Sequence, residues 1–91
     1  PTVIIEVLSS STEAYDRGEK FAAYRELKSF SEYLLILQTQ PLVEQYIKQA
    51  DGSWKFIPIQ GLDAMVRLEN VNCTLALKDI YRRVNFENSQ E

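Results

Sequence analysis

The stretch Val3 to Leu8, VIIEVL, followed by Asp16 to Leu27, DRGEKFAAYREL, decides how this sequence folds. VIIEVL is a nearly continuous apolar, β-branched run, which is typical of a central strand covered on both faces. Asp16 and Glu19 have the spacing of a capping box with Asp replacing Ser or Thr, and predict the start of a helix that continues to Leu27. The hydroxyl residues of Ser9 to Thr12 are expected to turn the chain or cap that helix.

Three more apolar segments and a final helical pattern follow. We expect strands at Glu32 to Gln38, at Leu42 to Ile47 and at Trp54 to Ile59, a short strand at Met65 to Leu68 within a loop-like region 60–72, a helix at Leu77 to Val84, and a frayed tail over residues 85–91. Pro58 favours an edge position for its strand, because proline cannot donate to a neighbour. The order strand, helix, strand, strand, strand, helix predicts an α/β or α+β fold with a mixed sheet.

Length and composition exclude many classes of protein. At 91 residues the chain forms one domain at most, and it has no His and a single Cys, Cys73. A Ser-His-Asp triad, a His-bearing zinc site and an internal disulfide are therefore excluded for this chain, and Cys73 is expected to be a small buried apolar residue. No apolar run approaches the roughly 20 residues of a membrane helix, so we expect a soluble, cytoplasmic protein with no membrane partner. Because the chain begins at Pro1 and its only Met is Met65, we interpret it as a fragment.

Two charged residues interrupt apolar patterns. Glu6 lies inside the first predicted strand, where an unpaired buried carboxylate would cost several kcal/mol. Lys20 falls within the helix face, formed by Phe21, Ala23, Tyr24 and Leu27, that we expect to lie on the sheet. Glu6 could instead form a structural ion pair or lie at an exposed strand end, and Lys20 could extend to solvent. A crossover from the strand through the helix would bring the two charges together.

A carboxylate and a lysine at a strand end are the groups that a metal-dependent phosphodiester hydrolase uses. The carboxylate would bind Mg²⁺ or Mn²⁺, and the ammonium would orient or activate water and stabilise developing negative charge. Such sites normally have at least two acidic ligands, so Glu6 alone would not be enough to form one.

The run Pro1 to Arg25, PTVIIEVLSSSTEAYDRGEKFAAYR, closely resembles the Uma-type family of restriction-endonuclease-like proteins, which is expanded in cyanobacteria. The resemblance continues at Glu32-Tyr33, at Val43 to Tyr46 and at Leu75 to Val84, and so covers essentially the whole chain. It implies a restriction-endonuclease-like mixed sheet flanked by helices, as in PD-(D/E)XK nucleases, which hydrolyse DNA with Mg²⁺. By the same resemblance Glu6 matches the metal-binding Glu and Lys20 matches a lysine on the following helix.

The sequence departs from the family pattern in two ways. The metal-binding Asp of the family lies on a strand upstream of Pro1, and the Pro-Asp pair that commonly opens the Glu strand reads Pro1-Thr2 here. We therefore expect residues 1–91 to be the C-terminal part of a single restriction-endonuclease-like domain, with the second carboxylate upstream of Pro1.

Several further residues are weaker candidates for a functional role. Asp16 is predicted to be a helix cap, with an accessory role near the metal left open by the resemblance. Tyr24 is expected to pack, and Arg25 could contact phosphate. The alternation of Trp54 and Phe56 favours core positions over base-stacking platforms.

The charge balance argues against a strong nucleic-acid binder. The net charge is −3 and the isoelectric point is about 4.9. Basic residues still cluster locally, so a basic rim for a DNA partner is compatible with this composition. They are Arg17, Lys20, Arg25 and Lys28, with Arg82 and Arg83 near the end of the chain.

Three functional hypotheses follow. The first is a Mg²⁺-dependent endonuclease acting on DNA through Glu6 and Lys20. The second is an inactive or truncated form of the same fold that serves as an interaction module, with a homodimer expected through exposed strand edges. The third is a small acidic binding protein in which Glu6 and Lys20 are only a buried ion pair.

Overall fold

Four strands form a mixed sheet at the centre of the computed structural model, which describes residues 2–83 except the side chain at position 83. They are β1 (Thr2–Leu8), β2 (Phe30–Leu37), β3 (Leu42–Lys48) and β4 (Trp54–Gln60), in this order across the sheet. β1 and β2 are parallel, whereas β3 is antiparallel to both β2 and β4. The predicted mixed sheet in an α+β fold is confirmed.

One face of the sheet is covered by two short helices, α1 (Glu13–Arg17) and α2 (Glu19–Tyr24). These helices form the crossover that two parallel strands require. Phe21 of α2 stacks on Tyr33 of β2, with the ring centroids 5.1 Å apart. The buried residues of this layer are Leu8, Phe30, Tyr33, Leu35 and Leu37.

The opposite face carries a second, smaller unit. A hairpin of β5 (Met65–Leu68) and β6 (Cys73–Ala76) leads into α3 (Leu77–Ile80) and a 3₁₀ turn, Tyr81–Arg83. Its buried residues pack against Leu34, Ile36 and Val43 of the sheet; they are Val66, Leu68, Leu77 and Tyr81. Cys73 is partly buried and packs against the same cluster.

None of the helices among residues 2–83 has the length and apolar character to cross a membrane.

The prediction that Val3 to Leu8 form a central strand is wrong for the described chain. β1 lies at one edge of the sheet formed within residues 2–83, and the side chains of Ile5 and Val7 are 48% and 49% exposed. β2 is the strand that is buried on both faces. An apolar run reports only that both faces are apolar, and it cannot tell which of them a neighbouring layer covers. Pro58 does lie in an edge strand, β4, as predicted.

The helical predictions need two corrections. The single helix from Asp16 to Leu27 is two helices that Gly18 separates, and the second of them ends at Tyr24. The final helix is also shorter than Leu77 to Val84, since α3 ends at Ile80 and continues only as the 3₁₀ turn. The strand β6 was not predicted. Val84 and the predicted frayed tail 85–91 lie outside the described residues.

Glu32 is a buried carboxylate near the start of β2 for which the sequence pattern predicted no role. It is fully buried and accepts hydrogen bonds from Gln45 Nε2 and from the backbone N–H groups of Glu69 and Asn70. The side-chain amide of Asn70 donates a further bond to Glu32 Oε1, at 3.0 Å. Glu32 therefore fastens the β5–β6 turn to the central sheet, since buried polar groups must find partners.

We predict that Glu32→Gln lowers the free energy of unfolding by about 2–4 kcal/mol, because the new amide N–H₂ group would face N–H donors where the carboxylate accepts them. Glu69→Gln is the matched control: it removes the same charge from an exposed side chain of the same turn, and should change stability by less than about 0.5 kcal/mol. Urea unfolding measures both. Equal effects of the two substitutions would contradict a clamping role for Glu32.

Candidate metal centre and active site

The register of the sheet places Glu6 beneath the helices. Glu6 is aligned with Leu35 of β2, which is aligned with Glu44 of β3, so these three side chains lie in one row on the same face. Leu35 belongs to the core under α1 and α2. The helices that cover this face therefore approach the Glu6 carboxylate directly.

Lys20 joins two carboxylates. Its Nζ atom lies 3.1 Å from Glu6 Oε1 and 3.3 Å from Asp16 Oδ1. The predicted approach of Lys20 to Glu6 is therefore confirmed, and a second carboxylate is added to it. The metal-binding role of Glu6 and the catalytic role of Lys20 stay predictions.

Tyr24 completes the surroundings of Glu6. Its hydroxyl donates a hydrogen bond to Glu6 Oε2, with the oxygens 2.8 Å apart, so each oxygen of the carboxylate has its own partner. Tyr24 was expected only to pack, and its ring does contact Phe30 and Tyr33. The signal for the second role was present in the sequence, because residues four apart share a helix face, which places Tyr24 beside Lys20.

The cap assignment of Asp16 is wrong. Asp16 lies inside α1, whose N-cap is Thr12, and the Thr12 side chain makes no capping hydrogen bond. The hydroxyl groups before the helix bond to one another instead, with Ser9 Oγ 3.1 Å from Thr12 Oγ1, and so turn the chain there. With α1 starting at Glu13, Asp16 points inward and its side chain is only 5% exposed, against 22% for Glu6 and 28% for Lys20.

The electrostatics of the cluster favour a charged lysine and a neutral phenol. The hydrogen bond to Glu6 raises the pKa of Lys20 despite the opposing effect of partial desolvation, and Asp16 raises it further. The hydrogen bond to Glu6 also raises the pKa of Tyr24. At neutral pH Lys20 is thus a cation, suited to stabilising negative charge, and Tyr24 is a hydrogen-bond donor.

The chemistry of the cluster fits a hard divalent cation. Glu6 and Asp16 supply carboxylate oxygens, and Mg²⁺ is usually held by one or two carboxylates with water completing the octahedron. Across residues 2–83, no three His, Cys, Asp or Glu side chains form a group that could hold a metal ion. The carboxylates of this cluster are the two in contact with Lys20, those of Glu6 and Asp16.

Arg25 lies apart from this cluster. Its guanidinium is placed over the ring of Phe21, 4.9 Å from the centroid, and it has no ion pair with Glu6 or Asp16. A different arginine, Arg17, contacts Glu44 of the same sheet row at 2.8 Å and also bonds to Glu13. Of the four predicted site residues, the fold thus brings Glu6, Lys20 and Asp16 together and leaves Arg25 outside.

A mixed sheet with a strand-borne carboxylate and a lysine on the crossover helix is consistent with part of a restriction-endonuclease-like fold. The chain belongs to the Uma2 family, described as "Putative restriction endonuclease", whose profile matches residues 1–78.

Two proteins of Synechocystis sp. (strain ATCC 27184 / PCC 6803 / Kazusa) are similar to this chain. One, "Uncharacterized protein slr1290", is 38% identical over 94% of the chain and 45% of its own length. The other, "Uncharacterized protein sll1609", is 39% identical over 72% of the chain and 37% of its own length. The chain therefore spans less than half the length of these relatives.

The raised pKa of Lys20 predicts a specific pH dependence of stability. Below about pH 10.5, the ordinary pKa of lysine, Lys20 is charged in both the folded and the unfolded chain, so its ion pairs contribute fully. As pH rises through the higher folded-state pKa, this contribution is lost. The difference in unfolding free energy between wild type and Lys20→Gln should thus be constant at neutral pH and shrink in the alkaline range.

Chemical denaturation across this pH range measures the difference. The alkaline titrations of Tyr33, Tyr46 and Tyr81, whose pKa values do not depend on Lys20, are common to both chains and largely cancel. A difference that did not shrink in the alkaline range would show that Lys20 acts through packing and not through its charge.

Proposed function

We propose that this chain carries catalytic residues of a Mg²⁺- or Mn²⁺-dependent endonuclease that hydrolyses phosphodiester bonds in DNA. The observation that carries the proposal is the contact of the Lys20 ammonium with the Glu6 carboxylate, 3.1 Å apart. The two residues occupy the positions that the family resemblance assigns to the metal-binding glutamate and the accompanying lysine. Membership of a family described as restriction endonucleases supports the same reaction class.

Each residue of the cluster has a distinct role in this proposal. Glu6 and Asp16 would hold the cation, and Tyr24 would keep the Glu6 carboxylate in one orientation. Bound Mg²⁺ would supply Lewis acidity at the phosphate and lower the pKa of a coordinated water. Lys20, as an ammonium, would contact the scissile phosphate and stabilise the negative charge that develops on it, without acting as the general base.

The proposal extends beyond the described residues. We propose that residues 1–91 form the C-terminal part of a single restriction-endonuclease-like domain, and that a second family carboxylate lies upstream of Pro1. The unpaired edge of β1 within residues 2–83 supports this, because a further strand could pair there next to Glu6. A cytoplasmic location, where DNA and Mg²⁺ are both present, belongs to the same proposal.

We predict that Glu6→Gln weakens Mn²⁺ binding by more than about tenfold, because a neutral amide replaces a charged ligand. Isothermal titration calorimetry on the full-length protein measures this. Lys20→Gln should bind the cation at least as tightly as wild type, since it removes a competing positive charge from the two carboxylates. Unchanged Mn²⁺ binding by Glu6→Gln would remove Glu6 from the metal centre.

We also predict that cleavage of plasmid DNA falls by about a hundredfold or more in Glu6→Gln and in Lys20→Gln. This is the loss expected when a group that stabilises the transition state is removed. Lys55→Gln is the matched control, since Lys55 is an exposed lysine on β4 that makes no ion pair within the described residues. A folded wild-type protein that neither binds metal nor cuts DNA would refute the endonuclease proposal.

An interaction module is the second candidate, and the exposed side chains of Ile5 and Val7 on the edge strand β1 favour it. A free strand edge can pair with a second copy through its backbone N–H and C=O groups, and exposed apolar side chains beside it would be covered in the resulting homodimer. Sedimentation velocity would then show a dimer that Val7→Lys converts to monomer. A monomer at all concentrations would argue against this candidate.

A further inference from the structure

A cleft of about 420 Å³ opens between the end of α2 and the β3–β4 hairpin. It lies on the helix-covered side of the sheet but contains none of Glu6, Asp16 or Lys20. Its volume falls in the range of small-molecule pockets and has room for one nucleotide. The residues that line it are Ala22, Arg25, Glu26, Lys48, Gly52 and Trp54.

Trp54 gives the cleft a fixed aromatic wall. The indole is half-buried and is held by Phe21, at 5.2 Å between ring centroids, and by Phe30, at 5.0 Å. Trp54 therefore packs against the core, as its strand pattern predicted, whereas Phe56, for which the same was predicted, is 49% exposed. Because Trp54 is buried only in part and lines the cleft, we expect the remainder of its ring system to be available for stacking.

The charges of the cleft differ from those of the chain as a whole. Arg25 and Lys48 form no ion pairs within the described residues, and Glu26 carries the one carboxylate among the residues that line the cleft. Lys48 is aligned with Trp54 across the β3–β4 pair, and the Arg25 guanidinium is held over Phe21, which also contacts the indole. Two unpaired cations thus flank an aromatic wall, although the chain carries a net charge of −3.

We propose that this cleft binds single-stranded nucleic acid, with one base stacked on Trp54 and the flanking phosphates contacted by Arg25 and Lys48. An aromatic platform beside cations is the arrangement that binds single strands, since every base has a π-face and every linkage carries a negative charge. A purely anionic ligand would leave the indole unused, and an apolar ligand would leave both cations unpaired.

The position of the cleft relates it to the Glu6 cluster without depending on that cluster. Tyr24, which bonds to Glu6, and Arg25, which lines the cleft, are consecutive residues at the end of α2. A strand held in the cleft is therefore aligned by the same helix that borders the proposed metal centre. The binding itself requires neither a metal nor hydrolysis.

The experiment uses the fluorescence of Trp54, which is the only tryptophan in the chain. We titrate the protein with a short oligothymidylate in the presence of EDTA, and separately with inorganic tripolyphosphate. We expect saturable quenching by the oligothymidylate, because stacking places a base against the indole, and no quenching by tripolyphosphate.

Variants that keep Trp54 identify the phosphate contacts. Arg25→Gln and Lys48→Gln should each weaken oligothymidylate binding by about two- to fivefold. Each should also reduce the slope of log affinity against log salt by about 0.7. Glu26→Gln should tighten binding, because it removes the opposing carboxylate. Lys55→Gln, whose side chain points to the other face of β4, is the control with an equal change of charge and should bind as wild type does.

The outcomes separate this inference from the endonuclease proposal. Quenching that persists in Glu6→Gln, in a protein that fails to cut DNA, would support the cleft and refute only the nuclease. Absence of quenching, or equal effects of Lys48→Gln and Lys55→Gln, would overturn the inference even if the protein cleaves DNA. Quenching by tripolyphosphate as strong as that by oligothymidylate would identify an anion site and also overturn it.

Discussion

The parallel pairing of β1 with β2 is the constraint on which the rest of the structure depends. Two parallel strands cannot be joined by a tight turn, so the chain between them must cross one face of the sheet. Here that crossover is α1 and α2, and Gly18 bends it over the sheet. Because Glu6 points to this face, the crossover brings Lys20 and Tyr24 into contact with the two oxygens of the Glu6 carboxylate.

Glu6 and Glu32 lie on opposite faces of the sheet, and the two carboxylates are satisfied in opposite ways. Glu32 is fully buried and accepts hydrogen bonds from backbone and side-chain N–H groups, so its partners are fixed parts of the fold. Glu6 remains partly accessible and is paired with the Lys20 ammonium, which also contacts Asp16. A carboxylate paired with a side-chain ammonium can exchange that partner for a metal ion, and the ammonium can then contact a phosphate, whereas a carboxylate enclosed by fixed N–H donors can do neither. This contrast is the physical reason why we assign a structural role to Glu32 and propose a chemical role for Glu6.

Only some of the residues in the site could be predicted from the sequence. Glu6 and Lys20 stood out because each breaks a strong apolar pattern, and a crossover was enough to suggest their contact. Asp16 was misassigned because its spacing from Glu19 resembles a capping box, and only the earlier start of α1 at Glu13 turns Asp16 inward. The burial of Glu32 could not be predicted, since a charged residue at the start of a strand is ordinarily exposed. Its burial depends on the β5–β6 turn, some 37 residues further along the chain.

The sequence by itself determined the strands of the main sheet, the helical crossover and the presence of two anomalous charges, because these depend on periodicity and on patterns within a few residues. Only the tertiary structure decided that β1 is an edge strand of the described sheet, that Asp16 shares Lys20 with Glu6, and that Trp54 borders a cleft between Arg25 and Lys48. These features arise where elements distant in the chain meet. Local patterns record which surfaces are apolar, but not which surfaces face one another.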